Sequence, residues 1–112
     1  MKKTIIMILF VAGAFLASCE SNTYNEISVV VTNPTYTANI EPVIKANCIG
    51  CHSAGGTYPT LTTYAQVKVS TSTGNLLCRI DKTCGSVMPP NGALATPTID
   101  MIKLWQQQGF IN

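Results

Sequence analysis

Apolar positions along the chain fall into three regimes: an unbroken block, a polar interval and a set of helical stripes. The block covers residues 5–17 and is interrupted only by Gly13. The interval that follows, to about residue 37, is rich in Asn, Ser and Thr. Within it Ile27-Ser28-Val29-Val30-Val31 is β-prone and suits either a short strand or a place on a domain surface. The stripes begin at Ile40, Val43 and Ile44, spaced i, i+3 and i+4, which predicts a helix over 38–46. Pro42 fits only in a first turn, so the start of that helix is drawn towards Glu41. Thr63, with Gln66 three residues on, reads as a capping box for a short helix to Val69, broken by Ser70-Thr71-Ser72-Thr73-Gly74. A further short helix is expected over 75–81, with Leu76, Leu77 and Ile80 facing inward. The last is the most fully marked, with Thr96 as cap, Pro97 at the first position and Gly109 at the stop. Its Ile99, Ile102 and Trp105, flanked by Met101 and Leu104, make a broad apolar face expected to cross the helix of 38–46. The expected fold class is therefore all-α, a small helical domain.

Lys2 and Lys3 ahead of the apolar block give it the layout of a secretory signal, and it is short for a membrane span. It ends in Leu16-Ala17-Ser18-Cys19, which resembles a bacterial lipobox, where small residues precede a cysteine that is acylated and becomes the mature N-terminus. This divides the chain into a cleaved lipoprotein signal over 1–18, a lipidated N-terminus and flexible tether over 19–37, and a folded domain over 38–112. The competing reading is a signal anchor in which Cys19 is incidental. The expected location is the cell envelope, lipid-anchored and facing the periplasm, on the outer or the inner membrane.

Loss of the signal also changes the charge. The formal +2 of the 112-residue chain disappears with Lys2 and Lys3. Lys45, Lys68, Arg79, Lys82 and Lys103 then balance Glu20, Glu26, Glu41, Asp81 and Asp100. No lysine-rich face remains to steer the protein to nucleic acid or to an acidic partner. Arg79 and Lys82 read as solvated surface charges, the alternative being pairing with carboxylates of a bound cofactor.

The chemistry is concentrated in Cys48-Ile49-Gly50-Cys51-His52, a C-x-x-C-H run that reads as a c-type haem attachment site. Two thiols three positions apart on one helical turn can reach the two vinyl groups along one porphyrin edge, and His52 follows as an axial ligand. A proximal histidine usually donates its other N–H to a carbonyl; Pro59 in the loop beyond either offers one or only shapes the turn. Met88, on a loop stiffened by Pro89 and Pro90, is the candidate sixth ligand, whereas Met101 lies on an apolar stripe and reads as packing. Ligation by two histidines from this chain is excluded, because His52 is the only one. Of the five cysteines, Cys19 is assigned to lipid and Cys48 and Cys51 to haem, which leaves Cys78 and Cys84 to pair as a disulfide. The rival reading gathers Cys48, Cys51, Cys78 and Cys84 around a zinc ion.

In this order the striped helix, the C-x-x-C-H run, the Met88-Pro89-Pro90 loop and a terminal helix with Ile102 and Trp105 before Gly109 resemble a monohaem class I cytochrome c domain. The likeness is to the short lipoprotein kind and spans roughly 40–112. It implies a helical domain wrapped around one covalent haem c, with His52 and Met88 on the iron and the first and last helices crossing. The aromatic residue and glycine usual in the family's first helix are absent, since Ile44 and Ile40 stand four and eight residues before Cys48. Cys78 and Cys84 are additional to the family pattern. The implied role is a one-electron carrier between redox partner proteins, held at a membrane by its lipid and not itself an enzyme. Two alternatives stay open: a haem sensor or small-ligand binder in which Met88 is absent or labile, and an electron-entry subunit of a larger oxidoreductase.

Overall fold

Every stripe of the sequence becomes helix in a computed structural model that describes residues 30–112. The apolar block, Cys19 and most of the β-prone stretch lie outside the described residues. The elements are a π-helical turn at Tyr36–Ile40, then α1 (Glu41–Asn47), α2 (Tyr64–Ser72), α3 (Leu76–Ile80) and α4 (Thr96–Gln107). Among the described residues there is no β-strand, and no helix is long and apolar enough to cross a membrane.

The first helical stretch starts earlier than its stripe. Thr35 accepts from the Ala38 amide at 3.3 Å, while the Asn39 carboxamide oxygen accepts from the Thr35 amide at 2.9 Å. The Ile40 amide reaches back five residues to the Thr35 carbonyl at 3.2 Å, the wide spacing that defines a π-turn. Pro42 falls in the first turn of α1, directly after the π-turn, where its fixed φ suits the helix. Pro34 and Tyr36 are buried, so the end of the expected tether is part of the packed body.

Capping of α2 follows the sequence, with Thr63 accepting from the Gln66 amide and the Gln66 side chain accepting from the Thr63 amide. The helix then runs past Val69 to Ser72, through hydroxyl residues expected to break it. Ser70 and Thr71 are buried, and the Thr71 hydroxyl donates to the Val67 carbonyl at 2.7 Å. A hydroxyl that bonds back within its own helix is satisfied without leaving it, which removes the reason to break.

At α4 the N-cap is Ala95, one residue before the expected Thr96, and Pro97 sits in the first turn. The C-terminal end is a Schellman closure: the Phe110 amide bonds the Trp105 carbonyl at 2.9 Å and the Gly109 amide the Gln106 carbonyl at 3.1 Å. Phe110 then lies edge-on against Trp105, ring centroids 4.8 Å apart.

Tyr36, Ile40 and Ile44 from the first helical stretch share one core with Leu61, Val67, Ile80 and the Ile99, Ile102 and Trp105 face of α4. The backbone neighbours of α4 are chiefly α3 and α2. It meets the first helical stretch through side chains, with the Tyr36 and Trp105 rings 6.0 Å apart. The Ile111 carbonyl ties the ends together, accepting from the Tyr36 amide at 2.8 Å and the Trp105 indole N–H at 2.7 Å.

Candidate functional site

Helix α1 ends directly into the C-x-x-C-H run. The Cys48 amide still bonds the Ile44 carbonyl at 2.9 Å, and the His52 amide bonds the Cys48 carbonyl at 2.9 Å. Residues 48–52 thus form one further closed turn, which keeps both cysteines and the histidine on a single local frame. Cys48 and Cys51 are free thiols. Cys48 is half-buried and packs with Ile49 against the core, and burial pushes its thiol above the ordinary value. Cys51 is exposed.

The loop after His52 folds back onto the turn. The Thr57 amide bonds the Cys51 carbonyl and the Leu61 amide the His52 carbonyl, both at 2.8 Å, with Leu61 buried as the anchor. This brings two carbonyls to the imidazole. Nδ1 of His52 lies 2.9 Å from the Pro59 carbonyl oxygen and 3.1 Å from that of Thr57. A carbonyl can only accept, so Nδ1 is the donor and carries the proton. In the neutral ring Nε2 is then left with its lone pair, the form in which imidazole binds a metal. The Thr57 carbonyl has no counterpart in the sequence reading, because no side-chain pattern marks which main-chain oxygen a loop will present.

Met88 comes from a different loop, tied to α3 rather than to the cysteine turn. Its amide bonds the Arg79 carbonyl at 3.2 Å, and its side chain is half-buried. Met101 packs on the core; Met88 is not among the side chains packed there. Met88 therefore has burial without a filler role. Cys78 and Cys84 are bonded to each other, with Cα atoms 5.3 Å apart. Their sulfurs are committed to that bond, and among the described residues no group of three or more His, Cys, Asp or Glu side chains is placed to hold a metal ion. The four-cysteine zinc arrangement is not formed.

The cysteine turn thus brings together two free thiols and an imidazole whose Nδ1 faces two carbonyls, while Met88 stands on a separate loop fastened to α3. Comparison with protein families, with curated proteins and with solved structures finds no match to this chain.

Proposed function

We propose that the protein is a c-type cytochrome, a one-electron carrier related in plan to the monohaem class I domains. The observation that supports this most is the pairing of His52 Nδ1 with the Pro59 and Thr57 carbonyls beside two free thiols. Cys48 and Cys51 would hold a haem c by thioether links, and His52 and Met88 would ligand its iron. Bound there, the haem supplies a reversible one-electron couple, which a thioether ligand tunes towards the reduced state relative to two histidines. The chain supplies the rest. Pro59 and Thr57 hold the imidazole in one orientation, the closed turn keeps the two sulfurs in register, and Met88 would give the iron its second side-chain ligand. With the iron so held by two side chains, the protein would pass electrons rather than turn over a substrate. The proposal includes the lipid on Cys19, periplasmic exposure, and redox proteins as partners.

The carrier is favoured over a ligand-binding haem protein by the half-burial of Met88 away from the core. Protein matured in a haem-attaching host is expected to gain the mass of one haem. Its ferric spectrum should be low-spin, with a weak sulfur-to-iron band at the red end, and its ferrous form should bind carbon monoxide slowly. Met88→Ala should abolish the band and speed that binding. A high-spin wild type, or a spectrum indifferent to the substitution, would favour the sensor instead. A product without haem mass defeats both.

A further inference from the structure

We propose that Arg79 is a positioning residue which, with the Cys78–Cys84 disulfide, fixes the loop that carries Met88 for ligation; this rests on the haem reading above. The sequence marks Arg79 as a solvated surface charge. In the fold the residue is half-buried with its guanidinium bond open to water, and it grips the loop by both its main chain and its side chain. Its carbonyl accepts from the Met88 amide at 3.2 Å, and its guanidinium Nη1 donates to the Ser86 carbonyl at 3.1 Å. Between those two points the guanidinium lies over Gly85. A Cβ built there would stand 2.5 Å from Nη1 and 2.7 Å from Cζ, and Gly85 has φ +56°, a conformation that costs a side-chain-bearing residue. The planar head group needs a bare backbone beneath it, and the chain provides one.

The disulfide closes the other side of the same loop. The Thr83 and Cys84 amides both bond the Cys78 carbonyl, at 2.9 and 3.3 Å, so the loop is laced to α3 by main-chain and covalent links together. Ile80 roots α3 in the core. A continuous mechanical path therefore leads from the core through Arg79 to Met88, and it matters because Met88 does not pack on the core itself. A neutral thioether is a weak ligand, and any loop entropy paid on ligation works against it directly. Fixing the loop beforehand removes that cost. Lysine does not replace this arrangement, because an ammonium is a point donor that cannot lie flat over the glycine while reaching Ser86.

The test uses the exported, haem-loaded protein and four readouts: the ferric sulfur-to-iron band, the rate of carbon monoxide binding, the helical signal on heating, and amide exchange at Met88. Arg79→Ala is expected to lose the band at temperatures where the helical signal is intact. It should bind carbon monoxide as fast as Met88→Ala, exchange the Met88 amide faster than wild type, and not be rescued by Arg79→Lys. The Arg79→Ala, Met88→Ala double variant should be no faster than either single one. Should Arg79→Ala fail to accumulate, Gly85→Ala displaces the guanidinium without deleting it and should move the readouts in the same direction. If the band is present in wild type, lost in Met88→Ala and kept in Arg79→Ala, the positioning role is wrong and the ligand stands. Band loss that merely tracks global melting overturns it too. A wild type without the band overturns the ligand assignment, and the positioning role with it.

Discussion

Tyr36 shows how much one side chain carries in so small a core. Its ring is edge-on to Tyr64 at 5.3 Å and its amide is held by the Ile111 carbonyl at 2.8 Å. Burial pushes its phenol above the ordinary 10.0, and the Glu41 carboxylate adds to that push while Lys45 opposes it. The folded state therefore keeps this proton at a pH where the unfolded chain has begun to release it. Its stabilising contribution is intact below the unfolded value and is lost as pH rises through the folded one. Urea midpoints should accordingly fall as the pH is taken above about 10. Tyr36→Phe, which keeps the ring and removes the titrating group, should flatten part of that fall. An unchanged slope in the variant would place the alkaline transition elsewhere.

At the scale of elements, the stop of α4 gives a prediction with its own control. Gly109 stands at φ +84° and a Cβ there meets nothing within 4 Å. Gly109→Ala should thus lose stability through conformation alone, about 1–2 kcal/mol for a left-handed non-glycine residue. For a domain of this size that lowers the melting midpoint by roughly 4–8 °C per kcal/mol. Gly50, with equally open space and no positive φ, should tolerate alanine with little change, and equal losses at both sites would contradict the assignment. This end was legible in the sequence because a Schellman closure depends on one glycine and its immediate neighbours. The capping box of α2 and the Cys48–His52 turn were legible for the same reason. What escaped was decided at a distance. Tyr36 belongs to the core because the C-terminal Ile111 carbonyl receives its amide, and the Arg79 side chain is tied to the loop beyond its helix because Gly85 and Ser86 come beneath the guanidinium. None of these partners lies in the window that periodicity or capping reads.

For the molecule as a whole, the distribution of burial sets the terms of folding. The helices contribute nearly all of the buried apolar side chains, whereas the residues between α1 and α2 contribute only Leu61 and those between α3 and α4 none. Yet these two loops carry His52 and Met88. Apart from the Leu61 anchor, their order rests on main-chain bonds, one disulfide and the grip of Arg79. Main-chain bonds exposed to water contribute little net stability, roughly 1 kcal/mol each, against about 1–2 kcal/mol per residue for fixing the backbone. On the proposed reading, the missing apolar surface is the porphyrin's. Protein carrying Cys48→Ala and Cys51→Ala, exported without haem, should therefore lose its cooperative melt and be cut by protease first within residues 53–60 and 81–95. The haem-loaded protein should resist at both places under the same conditions. If the unloaded variant melts in one sharp transition near the midpoint of the loaded protein, the four helices suffice by themselves, and the loops hold their shape without a haem.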